Sequence, residues 1–288
     1  MTTFSPIIAG AMTWGTAGKN LDTNAMEVLI RVCLEHGINT FDHADIYGGY
    51  TTEAAFGKAL QQSAVGRDSI RLISKCGIRY PVAGKPYDVK HYLYSKAHIL
   101  KSVENSLANL HTDHLDLLLL HRPSPLMHPD EIAQAVAELK QAGKILDFGV
   151  SNFTPHQTDL IRSAVDISYN QIEFSVTRWE PLTDGTLDHM MVNKIRPMAW
   201  SPLGCVFKTD TPQAQRVRLL LIDLIARYNV PGDVILLAWI LKHPAGFIPV
   251  CGTTSPDRLK ELTKATTVEL SDEDWFKLWV AARGEKVP

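Results

Sequence analysis

The sequence is poor in cysteine and has no long apolar run, and both absences exclude classes of protein. Its 288 residues include four cysteines, which are not closely spaced, so we expect no disulfide framework and a reducing cytoplasm. No apolar run approaches the roughly 18 residues of a membrane-spanning helix, and the first residues lack the features of a signal peptide. The formal net charge of −2 shows no excess of either sign. We therefore expect a cytoplasmic protein with no nucleic acid, membrane or obligate protein partner.

Linker-like segments rich in glycine, proline and serine are also missing, so we expect one domain over residues 1–288. Short apolar runs alternate with longer amphipathic ones, which is typical of parallel strands covered by helices. The predicted strands are 7–10, 39–42, 70–75, 115–121, 145–150, 167–172, 196–200 and 247–251. The predicted helices are 24–36, 53–61, 95–110, 130–142, 155–164, 184–193, 213–228 and 256–265, with additional helices over 233–242 and 271–282.

Eight strand–helix pairs predict an α/β fold, the (β/α)8 or TIM barrel, with accessory helices before strand eight and at the C-terminus. The alternative is a doubly wound open sheet, which would favour a glycine-rich phosphate turn directly after the first strand. The segment 9–15 lacks the G-x-G-x-x-G spacing and carries the bulky residues Met12 and Trp14 in that turn. The barrel is therefore the favoured fold.

Four polar residues lie at or just after the C-terminal ends of predicted strands. Asp42 ends strand two and Tyr47 follows it by five residues, while Lys75 ends strand three and His121 ends strand four. The carboxyl ends of barrel strands share one face, so an acid, a phenol, an amine and an imidazole would meet in one pocket. None of the four is a strong nucleophile. We therefore expect them to act on a carbonyl group whose carbon receives hydride from a nicotinamide.

Each of the four has a chemical role under that hypothesis. A buried Lys75 needs a carboxylate, which Asp42 can provide, and its ammonium would lower the pKa of Tyr47 from about 10. Tyr47 would then protonate the carbonyl oxygen while His121 orients it. Taken singly, each residue also has an ordinary structural explanation as a turn, cap or solvated residue. Their joint placement at three strand ends favours the chemical role.

Several motifs resemble those of the aldo-keto reductases, and the resemblance covers nearly the whole chain. The segment 41–48, FDHADIYG, resembles the tyrosine signature of that family, and 74–75 matches its catalytic lysine. Its histidine strand is similar to 115–123, and the segments 149–153, GVSNF, and 170–174, NQIEF, are characteristic of the family. The resemblance implies a (β/α)8 barrel that uses NADPH to reduce aldehydes and ketones.

The resemblance also implies which residues bind the cofactor, NADP(H). Ser151, Asn152 and Gln171 would bind the nicotinamide carboxamide, and Trp200 would stack on its ring. Arg258, near the start of a helix, would bind the 2′-phosphate, which favours NADPH over NADH. The implied cofactor residues are Thr13, Trp14, Asp42, Ser151, Asn152, Gln171, Trp200, Ser201, Pro202, Leu203, Gly204, Gly252, Thr253, Thr254 and Arg258. The implied substrate pocket consists of Trp14, Tyr47 and His121.

Two residues depart from the family pattern, because Gly252 stands where many relatives have lysine and Leu262 where an adenine-binding asparagine is common. Some structural alternatives stay open. Ser151 and Asn152 could cap helix five, and Trp200 could belong to the core. The tyrosine-rich loop 77–94 is either a substrate flap or a separate packing cluster. The histidines lack metal-ligand spacing, so we predict no metal site.

Two other functions remain as alternatives to carbonyl reduction. The first is a non-catalytic NADP(H)-sensing binding subunit, which some members of the resembled family are. The second is a barrel aldolase in which Lys75 forms a Schiff base with its substrate. The intact set of four polar residues and the cofactor motifs favour the reductase over both.

Overall fold

Eight parallel strands close into a barrel in the computed structural model of the protein, which describes residues 4–287. In chain order the strands are β1 (Ile8–Gly10), β2 (Thr40–Asp42), β3 (Arg71–Cys76), β4 (Ile78–Arg79), β5 (His91–Tyr92), β6 (Leu115–Leu120), β7 (Ile145–Ser151), β8 (Tyr169–Glu173), β9 (Arg196–Trp200) and β10 (Ile248–Cys251). The barrel order is β1-β10-β9-β8-β7-β6-β3-β2, and β2 pairs with β1. The predicted (β/α)8 fold is confirmed.

Helices surround the barrel, and six of those described begin where a side chain caps a backbone amide of the first turn. In chain order they are α1 (Thr23–Glu35), α2 (Thr52–Ser63), α3 (Lys96–Leu110), α4 (Pro129–Gln141), α5 (Pro155–Arg162), α6 (Thr186–Val192), α7 (Pro212–Tyr228), α8 (Gly232–Leu241), α9 (Pro256–Thr263) and α10 (Asp272–Arg283). Ser95, for example, accepts a hydrogen bond from the backbone of His98 at the start of α3. The two accessory helices that the sequence predicts are α8 and α10.

Hydropathy gives no single membrane-spanning helix within residues 4–287. Only α7 and α8 taken together have the necessary length and apolar composition, and they are bent by 89° where they meet.

The core has two layers because strand residues alternate between the inside and the outside of the barrel. The inner cluster consists of Phe4, Ile8, Ile73, Leu117, Leu119, Tyr169, Met198, Ile248 and Val250. The larger outer cluster lies between strands and helices and contains the intervening residues, such as Leu72 and Leu118. Both faces of β3 and β6 are therefore buried, which explains why their sequences are almost continuously apolar.

Trp14 lies in the outer core and not in a pocket, which contradicts its predicted places in the cofactor site and the substrate pocket. It follows a short 3-10 turn over residues 11–13 and is fully buried. Its ring packs against those of Phe41 and Phe56, with centroids 6.1 and 5.9 Å away. Phe41 is on the outward face of β2 and Phe56 is on α2. The turn after β1 therefore directs the indole away from the barrel mouth.

The loop 77–94 forms a small antiparallel hairpin from β4 and β5. Its last residue, Tyr94, is buried, and its hydroxyl accepts a hydrogen bond from the backbone N–H of Arg122 and donates one to the carbonyl of the same residue. Gly77 has φ +105°, and a Cβ there would lie 2.0 Å from the Tyr94 ring, so only glycine allows this close packing. No residue of 77–94 lines the cavity described below. These contacts favour a separate packing cluster over a substrate flap.

Candidate active site

The alternation of strand residues places polar side chains at the carboxyl end of the barrel interior. Lys75 follows the inward residue Ile73 by two positions, and His121 follows the inward residue Leu119 by two. Three more side chains reach this end in the same way: Asp42, Gln171 and Trp200. The residue types that the sequence singled out on distant segments therefore meet at one mouth.

A cavity of about 440 Å³ opens at this mouth, within the size range of small-molecule sites. Three of the four predicted catalytic residues line it: Asp42, Tyr47 and His121. Lys75 is 1% exposed and lies behind Asp42 and Tyr47, with which it forms hydrogen bonds. The carboxylate, the phenol and the imidazole therefore line the cavity. The Lys75 ammonium does not reach the cavity and influences a ligand there only through Asp42 and Tyr47.

The ammonium of Lys75 uses all three of its protons. It donates to Asp42 Oδ2 at 2.6 Å, to the carbonyl oxygen of His43 at 2.8 Å and to Tyr47 Oη at 3.1 Å. Asp42 in turn accepts a hydrogen bond from Gln171 Nε2 on its other oxygen, at 2.8 Å. Every polar atom of the buried pair therefore has a partner, which is the condition under which a buried ion pair is tolerated.

The Tyr47 hydroxyl accepts the hydrogen bond from Lys75, so its own proton is directed elsewhere. Among residues 4–287 no acceptor receives that proton. Burial raises the pKa of Tyr47, and the nearby ammonium offsets only part of that rise. The prediction of a lowered Tyr47 pKa is therefore wrong, and the phenol is protonated at neutral pH.

His121 is a neutral imidazole beside Tyr47. The two rings are 5.9 Å apart and nearly perpendicular. Burial lowers the pKa of His121 well below its ordinary value, and the positive charge of Lys75 lowers it further. Its Nδ1 is buried without a partner among the described residues, which leaves Nε2 as the ring nitrogen available to a ligand. The geometry suits a hydrogen bond to an oxygen that Tyr47 also reaches.

Ser151, Asn152 and Gln171 lie together on the wall formed by β7 and β8. Ser151 Oγ donates to the carbonyl of Gln171 at 2.9 Å, and Asn152 Nδ2 donates to Ser151 Oγ at 2.7 Å. Asn152 Oδ1 accepts from Trp200 Nε1 at 2.9 Å. Ser151, Asn152 and the Trp200 ring are therefore linked by hydrogen bonds, and Gln171 joins them through its backbone carbonyl while its side chain donates to Asp42.

Neither structural alternative for this group is supported. The N-cap of α5 is Thr154, which forms a reciprocal capping box with Gln157, so Ser151 and Asn152 are not needed as caps. Asn152 instead adopts a left-handed backbone conformation with φ +62°, which turns the chain directly after β7. Trp200 is half-buried, lines the cavity and belongs to neither core cluster.

The segment after β9 also lines the cavity at the predicted residues, which are Ser201, Pro202, Leu203 and Gly204. Ser201 and Gly204 both have positive φ, at +50° and +54°. A Cβ at Gly204 would lie 2.0 Å from Thr177 Oγ1, so the tight turn needs glycine. The tight turn thus places residues 201–204 at the cavity wall.

The segment after β10 contributes Gly252, Thr253 and Arg258 to the wall, whereas the predicted Thr254 does not line it. Thr13, the remaining predicted cofactor residue, lines the cavity and donates from Oγ1 to the carbonyl of Gly252 at 2.5 Å.

Arg258 is half-exposed and forms an ion pair with Asp233, 2.9 Å away. Arg258, which the sequence assigned to the 2′-phosphate, therefore lines the cavity but is already paired with a carboxylate.

Seven residues of the wall have no predicted role in ligand binding: Gly10, Met12, Arg122, Lys208, Val250, Cys251 and Leu262. Arg122 directly follows His121 at the end of β6, so its place after a strand could have indicated it. Lys208 lies in an irregular segment with no motif, and no sequence signal marks it. Among residues 4–287, no group of three or more histidine, cysteine, aspartate or glutamate side chains could hold a metal ion.

The sequence matches a known family over almost its full length. Residues 6–279 match the model of the Aldo/keto reductase family. The chain therefore belongs to the aldo/keto reductase family and is an oxidoreductase. The family and the enzyme class that the sequence predicted are confirmed.

Individual relatives agree with this assignment. The chain is 42% identical to the oxidoreductase YcsN of Bacillus subtilis, with 99% of this chain and 96% of that protein covered. It is 39% identical to the 6-dehydroglucose reductase of Agrobacterium fabrum, with 94% and 92% covered. The crystal structure of the thermostable aldo-keto reductase Tm1743, in complex with the inhibitor epalrestat, superposes with a TM-score of 0.82 at 26% identity, covering 96% of this chain and 94% of that one.

Removing one charge of the buried pair should destabilise the fold. Asp42→Asn leaves the Lys75 ammonium buried without its counter-charge, so we expect the free energy of unfolding to fall by about 3–5 kcal/mol. Urea unfolding measures the loss. The matched control is the double variant Asp42→Asn with Lys75→Met, which removes both charges and should recover part of it. Wild-type stability in the single variant would show that the pair does not constrain the fold.

Proposed function

We propose that the protein reduces a small aldehyde or ketone to an alcohol, with hydride from NADPH and the proton from Tyr47. The observation that carries the proposal is the hydrogen bonding at Tyr47. Its oxygen is fixed by Lys75 at 3.1 Å, and its proton has no acceptor among the described residues, although the side chain lines the cavity. A phenol held in this way can donate its proton to a ligand that enters the cavity.

The residues of the cavity fit a nicotinamide dinucleotide phosphate. A carboxamide has one acceptor and two donor positions, which the group of Ser151, Asn152 and Gln171 complements. The half-exposed Trp200 ring offers a stacking surface, and Arg258 offers a charge for the 2′-phosphate. Bound NADPH would supply the hydride. NADP(H) is also the cofactor that the family resemblance implies.

The chain's own residues would then deliver a proton to the carbonyl oxygen. The oxygen accepts hydrogen bonds from Tyr47 Oη and His121 Nε2, and both groups are uncharged at neutral pH because burial raises the tyrosine pKa and lowers that of the histidine. As the proton leaves Tyr47, the Lys75 ammonium stabilises the developing phenolate. Asp42 keeps that ammonium charged and in place.

The two alternative functions receive less support. A Schiff-base lysine must be a neutral amine with access to substrate. Burial alone would lower the pKa of Lys75, but Asp42 and Tyr47 outweigh it, so its pKa is raised, and it does not line the cavity. A purely cofactor-sensing subunit would not need the four residues to converge as they do. The cytoplasmic location and the absence of an obligate protein partner stay predictions.

Replacing Tyr47 by phenylalanine should abolish most of the reduction. The variant lacks the proton donor but keeps the ring, so we expect kcat/KM for aromatic aldehydes to fall about 10²–10⁴-fold. NADPH oxidation measures turnover, and fluorescence titration should give an unchanged Kd for NADPH. Turnover close to that of the wild type would show that another group donates the proton.

Replacing Arg258 by alanine should weaken NADPH much more than NADH. Only NADPH carries the 2′-phosphate, and loss of one charge-assisted contact should raise its Kd about tenfold or more. Asp233→Asn is the matched control, since it keeps the arginine and removes its carboxylate partner, and it should leave NADPH binding equal or tighter. Equal weakening of both cofactors in Arg258→Ala would remove this assignment.

A further inference from the structure

Arg122 lines the cavity beside Tyr47 and His121 with a guanidinium that has no acidic partner. Among the described residues no carboxylate lies within 4.0 Å of it. Its guanidinium carbon lies 5.5 Å from the centroid of the Trp200 ring, and the guanidinium forms no hydrogen bond with any residue of 4–287. Arg258, by contrast, already has Asp233 at 2.9 Å. A half-buried arginine without a counter-charge at the wall of a cavity is available to a ligand.

The backbone of Arg122 is held in place from both sides. The Tyr94 hydroxyl accepts a hydrogen bond from the Arg122 N–H at 3.1 Å and donates one to its carbonyl. Tyr94 itself is 4% exposed and is packed closely against Gly77. These two hydrogen bonds fix the backbone of Arg122, in contrast to the backbone of an arginine in a solvated surface loop. The loop 77–94 therefore contributes to the cavity indirectly, because Tyr94 fixes the backbone from which the Arg122 side chain extends.

The barrel order separates Arg122 from the proposed phosphate end. Arg122 follows β6 and Arg258 follows β10, and these strands are four steps apart in either direction around the eight-stranded barrel. Their backbones are therefore on opposite sides of the mouth, although the Arg122 guanidinium reaches toward Trp200 at the end of β9. Arg122 lies on the side of His121 and Tyr47, where the carbonyl group would be reduced.

Positive charge surrounds the His121 imidazole. Besides burial, the charges of Lys75, Arg122 and Lys90 act on it. Lys75 is neutralised by Asp42 at 2.6 Å, whereas no carboxylate pairs with Arg122 or Lys90 among residues 4–287. The unpaired guanidinium of Arg122 at the cavity wall therefore favours an anionic ligand.

We propose that Arg122 binds a carboxylate of the substrate, so that the enzyme prefers aldehydes and ketones that carry a carboxylate near the carbonyl group. The inference rests on the proposed function and deepens it. A guanidinium presents two parallel N–H groups that match the two oxygens of a carboxylate. The carboxylate would be a second group of the substrate, distinct from the carbonyl oxygen that Tyr47 and His121 bind.

The test compares acids with their neutral methyl esters. The pairs are 4-formylbenzoate with methyl 4-formylbenzoate and 4-oxobutanoate with methyl 4-oxobutanoate. In the wild type we expect the acid-to-ester ratio of kcat/KM to be about ten or more, and in Arg122→Met we expect it to approach one with NADPH affinity unchanged. Arg122→Lys, which keeps the charge but loses the paired donors, should recover part of the ratio.

Arg79→Met is the matched control, because Arg79 also has no carboxylate partner within residues 4–287. Its guanidinium lies 5.0 Å from the Tyr87 ring on the hairpin and does not line the cavity, so the ratio should stay at the wild-type value. An equal loss for acid and ester in Arg122→Met would leave Arg122 as a packing partner of Trp200 and overturn the proposal. A weakened NADPH Kd in that variant would assign Arg122 to the cofactor instead.

Failure of the proposed reductase function can be distinguished from failure of the carboxylate site at Arg122. If the wild type reduced neither acid nor ester, the reductase assignment would fail for these substrates, and calorimetric binding of benzoate to the NADP-saturated protein would still test Arg122. Benzoate binding that Arg122→Met weakens about tenfold, and Arg79→Met does not, supports the carboxylate site. Equal binding by all three proteins overturns it.

Discussion

The buried ion pair of Lys75 and Asp42 is the constraint on which the catalytic face depends. The two charged atoms are 2.6 Å apart and both side chains are almost fully buried, so neither charge is stable without the other. The third proton of the ammonium fixes the oxygen of Tyr47. One electrostatic requirement therefore sets the positions of residues on β2, on β3 and in the turn after β2, and with them the direction in which the phenol offers its proton.

Different strands of the barrel contribute the proton-handling residues and the residues that fit the cofactor. Residues that handle the proton come from β2, β3 and β6, whereas residues that fit the cofactor come mainly from β7 to β10. Gln171 on β8 joins the two halves, because its side chain donates to Asp42 at 2.8 Å while it lines the cavity with Ser151 and Asn152. In the proposed function, hydride and proton would thus reach one carbonyl group from opposite sides of the same ring of strands.

Much of the fold and the proton-handling site could be predicted because short apolar strands end at or next to polar residues, as β2 does at Asp42, β3 next to Lys75 and β6 next to His121. The direction of Trp14 could not, since it follows a 3-10 turn in which strand alternation no longer applies. For Tyr47, its charged neighbour could be predicted from the sequence but its degree of burial could not, and burial decides the sign of its pKa shift. The place of Arg122 after a strand could indicate a wall residue, but its lack of an acidic neighbour among the described residues is a property of the folded chain that the sequence does not show.

The most direct test of this account is a crystal structure of the protein with NADP⁺ and a carbonyl ligand that is reduced slowly. We expect the carbonyl oxygen to lie within about 3.2 Å of both Tyr47 Oη and His121 Nε2, with Lys75 still bound to Asp42. A carbonyl oxygen outside hydrogen-bond range of Tyr47, or one held by another donor while Tyr47 faces away, would contradict it.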